Sequence, residues 1–416
     1  MDKFIAIDVG NGDSFFLERD GKTILVDGGS GRKNFTKKFN DTVGTFNPDV
    51  IVCTHSDSDH ISGLIGFLES GRISKELWLP GTWTYRIGDV IAEPQLFAEE
   101  LSHDITAFDT QILESQRAFL ERIGDEFSHI LRGKDKENHI ESHFFKRRKK
   151  GKPSNLSKNS NLLYEVSGAP DKPLYNINAD MIISKYENSL KHLKDTSDKI
   201  IKTKKVKNDK LYKNAINTVI KIVELIGLGY KSKARIRWFE YSNNQCQVGL
   251  DGENFLYPLN SSEMKNLKQK NIRALYFAAL TKANVESLVF YSPSSDSNSD
   301  AGVLFSGDSD YSFHLDINII SDDSLITSPH HGSESNARAY LVLSKKSTPK
   351  TILVRSDSTQ SKSKKGRPGP SYISFTKNRY CTKCRDSKKP KSPLKFQITV
   401  SGEWTALINT NKCTCK

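Results

Sequence analysis

The run Thr54-His55-Ser56-Asp57-Ser58-Asp59-His60 places two imidazoles and two carboxylates within six residues, directly after the apolar triplet Val50-Ile51-Val52. Neighbouring carboxylates at the end of a buried strand repel each other and lose hydration. A chain that sets Asp57 and Asp59 between two histidines neutralises them most simply with a divalent cation. A solvated polar loop is the alternative for the cluster taken alone. Ile61 to Leu68 then resumes apolar spacing at a helical period, with Gly63 suited to a tight strand-to-helix turn. Strand, polar loop and helix predict an α/β fold whose site lies at the carboxyl ends of strands.

Other segments repeat the pattern. Residues 4–7 and 14–17 read as strands flanking the turn-rich Asp8-Val9-Gly10-Asn11-Gly12-Asp13, and residues 23–27 as a third strand closed by Gly28-Gly29. Residues 34–48 read as a helix. Strand patterns return at 234–239, 287–291, 301–305 and 324–327, and the last two run into Ser306-Gly307-Asp308 and Ser328-Pro329-His330-His331-Gly332. A His pair between Pro and Gly also suits an ordinary turn. Three strand ends brought to one sheet edge, however, supply nitrogen and oxygen ligands for one or two divalent ions with a position left for water.

The net charge of +13 is local: residues 143–214 hold 18 Lys and Arg against 7 Asp and Glu, and residues 338–416 hold 19 against 3. The rest of the chain therefore carries a formal −14. An acidic core joined to basic segments suits a protein acting on a polyanion, with Lys146, Arg147, Arg148, Lys149, Lys150, Lys364, Lys365 and Arg367 as candidate phosphate contacts. Solvated lysine-rich faces account equally well for either segment alone. Composition shifts divide the chain into 1–100 and 231–375 as two halves of one α/β domain, 101–230 as a helical basic insertion, and 376–416 as a basic C-terminal segment. No apolar run is long enough to span a bilayer, and Met1-Asp2-Lys3-Phe4 enters a strand pattern at once, which predicts a soluble cytoplasmic protein without a membrane partner.

Of six cysteines, Cys53 and Cys246 are isolated. Cys381-x-x-Cys384 and Cys413-x-Cys415 form two close pairs joined by the β-like Phe396–Val400 stretch, the pattern of a structural zinc site with four cysteine ligands. Paired disulfides and an unstructured reactive tail are the competing readings. Lys388, Lys389, Lys391 and Lys395 in the intervening loop add a further candidate contact to nucleic acid.

Taken together, Asp8-Val9-Gly10-x-Gly12-Asp13, Leu25-Val26-Asp27-Gly28-Gly29, Thr54-His55-x-Asp57-x-Asp59-His60-x-x-Gly63, Phe305-Ser306-Gly307-Asp308 and Pro329-His330-His331-Gly332-Ser333 resemble the metallo-β-lactamase fold. They are most similar to its branch formed by the soluble domain of the DNA-uptake competence protein ComEC and stand-alone relatives. Residues 284–289 and Gly366-Arg367-Pro368-Gly369 add to the likeness. The resemblance implies an αββα sandwich, here with the helical basic insertion and a C-terminal Cys-rich ribbon. It implies two divalent ions held by His55, Asp57, Asp59, His60, Asp308 and one or both of His330 and His331. Asp308 would bridge them, and Asp27 would orient loops nearby.

Two departures stand out: Asp57 replaces the second histidine of most of the superfamily, and Arg367 stands where the ComEC branch often has histidine. The extra carboxylate moves the expected metal from zinc alone toward manganese or a mixed pair. The expected reaction is phosphodiester hydrolysis of DNA, or of RNA, by a stand-alone nuclease, with bacterial defence as a setting. Asp59, His60 and His331 are the expected catalytic residues, Asp59 or a free imidazole of the His pair protonating the leaving oxygen. Two other functions fit: a phosphodiesterase of a small nucleotide signal, or a nucleic-acid-binding subunit of a multi-protein system with a weak or structural metal site.

Overall fold

The computed structural model describes residues 2–111, 179–206, 208–243, 255–265, 267–270, 272–281, 284–294, 301–357, 367–384, 393–407, 410 and 412–415. Met1–Pro80, Ala234–Glu263 and Asn284–Lys416 form one compact unit, and Gly81–Lys233 with Met264–Ala283 form another.

The first unit holds two sheets. Its larger sheet contains β1 (Lys3–Ala6), β2 (Phe15–Arg19), β3 (Lys22–Val26), β4 (Val50–Val52), β5 (Glu76–Pro80), β6 (Arg235–Tyr241), β8 (Ser261–Glu263), β14 (Leu394–Ile398) and β15 (Trp404–Ala406). Their spatial order is β15-β14-β1-β2-β3-β4-β5-β6-β8. The second sheet runs β13 (Arg379–Cys381), β12 (Ile352–Arg355), β11 (Leu325–Thr327), β10 (Val303–Phe305), β9 (Phe290–Ser292) and β7 (Tyr257–Pro258). Strands β3, β4, β5 and β6 are parallel, as are β10, β11, β12 and β13, so the carboxyl ends within each run lie at one edge.

Strand alternation explains the layers. Phe4, Ala6, Phe15, Val50 and Val52 of the larger sheet meet Phe290, Val303, Phe305, Ile352 and Val354 of the second in one core. The alternate residues face outward: Leu304, Ile326 and Leu353 pack with Tyr340 of α8 (Ala337–Leu343) and Tyr372 of α9 (Pro370–Phe375). On the other side Phe16 stacks edge-on with Phe39 of α1 (Phe35–Thr42), which in turn meets Phe67 of α2 (Ser58–Glu69) at 5.0 Å. Both faces of each sheet are thus covered, which is why β4, β10 and residues 352–354 of β12 read as unbroken apolar runs. A buried Arg19 ties the sheets, pairing with Asp2 at 2.6 Å and donating to the carbonyls of Ser292 at 2.8 Å and Ala301 at 2.7 Å.

The second unit is helical among its described residues, with α3 (Thr84–Ala92), α4 (Pro94–Gln111), α5 (Ala179–Lys202), α6 (Asp209–Lys231) and α7 (Ala274–Leu280). Helix α5 buries Ile182, Tyr186, Ser189, Leu193, Ser197 and Ile200, the three-and-four spacing of one helix face. Asn208 caps α6, its side chain accepting from Leu211 N at 3.0 Å. This unit takes in residues 81–100, which the sequence pattern grouped with the strands. The physical reason is packing: Ile91 O accepts from Ser189 Oγ of α5 at 2.7 Å, and Phe97 lies 6.1 Å from Phe277 of α7. No helix among the described residues is long and apolar enough to cross a membrane.

Candidate metal centre

Five segments of the first unit deliver the chemistry. The β1–β2 loop supplies Asp13, the end of β3 Asp27, the end of β4 with the first turn of α2 His55 to His60, the end of β10 Asp308, and the end of β11 His330 and His331. Two glycines permit the closeness. A Cβ on Gly12, whose φ is +97°, would fall 1.8 Å from Asp59 O, and one on Gly63 would fall 1.9 Å from Gly28 O. The loop of Asp13 therefore lies directly on the start of α2, where Asp13 N donates to Asp59 O at 3.2 Å.

Asp308 is the hub. Its Oδ1 lies 3.2 Å from His60 Nε2 and 3.4 Å from His331 Nε2, while its Oδ2 lies 3.6 Å from His55 Nε2 and 3.4 Å from His330 Nε2. One carboxylate thus divides its two oxygens between two imidazole pairs. A second carboxylate stands beside each pair: Asp59 Oδ2 is 3.4 Å from His331 Nε2, and Asp57 Oδ2 is 4.0 Å from His55 Nε2. Asp57 is the N-cap residue of α2, but its side chain makes no cap bond.

Each imidazole has a polar neighbour at its other nitrogen. His60 Nδ1 meets Asp27 Oδ2 at 2.8 Å, and His331 Nδ1 lies 3.0 Å from Asp13 Oδ1. His330 Nδ1 meets Asn336 Oδ1 at 2.9 Å, and Asn336 Nδ2 donates to the carbonyls of Asp308 at 2.8 Å and Ser309 at 3.0 Å. Thr54 Oγ1 donates to Asp27 at 2.7 Å, so it accepts from His55 Nδ1 at 3.1 Å. For His60, His330 and His55 these bonds set the proton on Nδ1 and turn the Nε2 lone pair inward, the tautomer a metal-ligating histidine requires, while His331 Nδ1 faces Asp13 without a formed hydrogen bond.

The centre fits a cation on its own evidence. His55 Nε2, Asp308 Oδ1 and Asp13 Oδ2 are buried without a hydrogen-bond partner. His60 Nε2 and His331 Nε2 face each other at 3.1 Å, an approach of two lone pairs that needs positive charge between or beside them. Asp13, His60, Asp308 and His331 offer ligand atoms all within 4.8 Å of one another. Electrostatics agree. Burial disfavours charge on Asp308, but the surrounding His330, His331, His60 and His55 outweigh it and hold the carboxyl well below its usual range. Burial likewise opposes protonation of His331, yet Asp13 and Asp308 push it up to about 10. Burial and the neighbouring His60 together depress His55. The carboxylates thus demand positive charge in their midst, supplied by protons or by a divalent ion in their place.

The structure brings His55, Asp57, Asp59, His60, Asp308, His330 and His331 together. Arg367 reaches the same place, its Nη2 3.0 Å from His330 Nε2 and its Nη1 3.7 Å from Asp59 Oδ2. Lys146, Arg147, Arg148, Lys149, Lys150, Lys364 and Lys365 lie outside the described residues, as do Cys246, Lys388, Lys389 and Lys391. Cys381, Cys384, Cys413 and Cys415 form a separate cluster with all four sulfurs within 4.8 Å of one another. Sequence reasoning gave no role to Asp13, Ser287 or Asn336. Ser287 Oγ accepts from Asp308 N at 3.1 Å and lies 3.3 Å from His55 Nδ1. The available signal for Asp13 was a carboxylate set between a Gly-x-Gly turn and an apolar strand.

Residues 7–77 match the family model of the metallo-beta-lactamase superfamily. The matched stretch contains Asp13, Asp27 and His55 to His60. No curated protein matches the chain significantly. Members of that superfamily are mostly hydrolases, so the match and the clustered histidines and carboxylates together indicate a metal-dependent hydrolase of mixed α/β fold.

Proposed function

We propose that this chain is a metal-dependent phosphodiesterase that cleaves nucleic acid, with DNA as the first substrate to test. The observation that carries the hydrolytic part is the division of the Asp308 oxygens between His60 with His331 and His55 with His330, which makes two adjoining donor sets around one bridging carboxylate. One set comprises Asp59, His60, His331 and Asp308 Oδ1, with Asp13 adjacent. The other comprises His55, Asp57, Asp308 Oδ2 and His330. Divalent ions held there would lower the pKa of water and polarise the attacked phosphoryl group. Mixed nitrogen and oxygen donors suit zinc or manganese.

The remaining steps belong to side chains. Burial raises the Asp59 carboxyl, but His331 outweighs it and keeps Asp59 strongly ionised, which suits a ligand and not a proton donor. Of the adjacent imidazoles, His330 reaches the rim, its side chain 11% exposed against 0% for His331. We keep both as ligands, with His330 on the side open to substrate. Arg367, beside His330 and Asp59, would meet a phosphate oxygen of the substrate.

The choice of nucleic acid rests on Arg367, on the net charge of +13 and on the likeness to the ComEC branch. A cytoplasmic setting and a role in bacterial defence belong to the same proposal. Purified protein with manganese or zinc should cut single- or double-stranded DNA or RNA, and Asp59→Ala with His60→Ala should not. Cleavage that falls steeply with salt supports a polynucleotide substrate. Salt-insensitive cleavage of a small phosphodiester alone would shift the assignment to a nucleotide signal. Absence of cleavage with every metal would end the hydrolase reading.

A further inference from the structure

We propose that the four cysteines hold a zinc ion that fixes the His330–His331 turn through Arg355, so that a structural metal site supports the hydrolytic one. The sulfur geometry comes first. Cys381 and Cys415 lie 3.7 Å apart, Cys384 and Cys413 3.7 Å, and Cys384 and Cys415 3.2 Å. A disulfide needs about 2.05 Å. Four thiolates about 2.3 Å from a tetrahedral zinc stand about 3.8 Å from each other, close to the two longer separations. Backbone amides support the thiolate form: Cys384 N donates to Cys381 Sγ at 3.3 Å and Thr414 N to Cys384 Sγ at 3.1 Å.

The cluster is joined to the His turn by a short buried path. Cys381 on β13 is the register partner of Arg355 on β12. Thr382 N donates to Arg355 O at 3.1 Å, and Thr382 Oγ1 donates to Ser356 O. From that anchored strand end the buried Arg355 donates Nε to His331 O at 2.6 Å and Nη2 to Asp357 Oδ2 at 3.0 Å. Ser356 Oγ donates to Gly12 O at 2.8 Å, which ties the same strand end to the loop of Asp13. On a second side, Cys413 packs against the apolar cluster that contains Tyr372, whose ring lies against Gly332.

The turn needs such support. His330 and His331 have φ of +46° and +53°, a left-handed conformation that is strained for a side chain with a Cβ and persists only where surroundings impose it. Arg355 is thus a positioning residue, and the zinc cluster holds the end of the strand that carries it.

The inference rests on His330 and His331 belonging to the metal centre, so its test reads metal binding and not hydrolysis. Cobalt(II) added to the full chain should give a thiolate-to-cobalt charge-transfer band that the His/Asp centre has no sulfur to produce. Cys384→Ser with Cys413→Ser should abolish that band and weaken cobalt binding at the His/Asp centre about tenfold or more. Arg355→Gln should keep the band and weaken the His/Asp centre by a similar factor. This second variant reads the coupling even if the cysteine variant does not fold by circular dichroism. An absent thiolate band in the unmodified chain, or His/Asp affinity unchanged in Arg355→Gln, overturns the proposal. Failure of the unmodified His/Asp centre to take cobalt while the thiolate band appears overturns the hydrolase reading as well, and so separates the two failures.

Discussion

The His/Asp centre and the cysteine cluster lie in the same unit but are built in opposite ways. The first collects donors from five segments between residues 13 and 331, uses only nitrogen and oxygen, and leaves Asp57 and Asp59 with side chains 33% and 26% exposed. The second draws four sulfurs from two short pairs, Cys381 with Cys384 and Cys413 with Cys415, all within 4.8 Å of one another. A closed sulfur set has no position left for a substrate, whereas an open set of mixed donors does. Ligand softness and openness are the grounds on which support is proposed for one centre and chemistry for the other.

The sharpest way to break this division is to remove the hub. Asp308→Ala should lower hydrolysis by more than about 100-fold, the upper range for losing a partner that merely orients a ligand. Zinc at the cysteine cluster should stay unchanged by metal analysis; its loss would mean that the two centres are one cooperative unit. Next in size, Asp27→Asn weakens the hold on His60 Nδ1 and on Thr54, and should cost about 10- to 100-fold in metal affinity, read by titration of the metal-free chain. A chelator series sharpens the contrast in kinetics: EDTA should empty the exposed carboxylate-bearing centre before it removes metal from the four sulfurs. Simultaneous loss would argue against the open and closed assignment.

Smaller effects follow at the rim and in the helical unit. Arg367→Ala should reduce the slope of log affinity for DNA against log salt by about one, as expected for one lost phosphate contact. An unchanged slope would remove Arg367 from the substrate path. As a control distant from both donor sets in chemistry, burial and the nearby Glu100 push the Asp104 carboxyl up to about 6. With the folded value above the unfolded one of 3.8, the stability it contributes is present below about pH 4 and is lost as pH rises through about 6. Asp104→Asn should thus match the unmodified chain near pH 4 and exceed it by about 3 kcal/mol near pH 7 in denaturant unfolding. Equal stability at both pH values would refute the raised value.

Much of the larger sheet was legible because strand residues alternate between two apolar layers. Phe15 faces the sandwich and Phe16 the helices, so the pattern around β2 and β3 announces both a strand and its burial. The cluster from His55 to His60 was legible for a related reason, since its donors are adjacent in sequence. Asp13, Ser287 and Asn336 were not, because each acts through a partner hundreds of residues away or by a hydrogen bond that no local spacing encodes. The start of the helical unit was equally hidden: residues 81–100 have ordinary helical patterns, and only their contacts with α5 and α7 assign them to it.

By itself, then, the chain's sequence determined which donors exist, their hardness or softness, and which short segments present them, because those properties are local and chemical. Tertiary structure alone decided that Asp308 stands between two imidazole pairs, that separate Nδ1 partners turn the Nε2 atoms of His60, His330 and His55 inward, and that Arg355 reaches from the strand beside the cysteine cluster to His331 O. Those are distances between segments remote in the chain, and they come from how two sheets close over a common core.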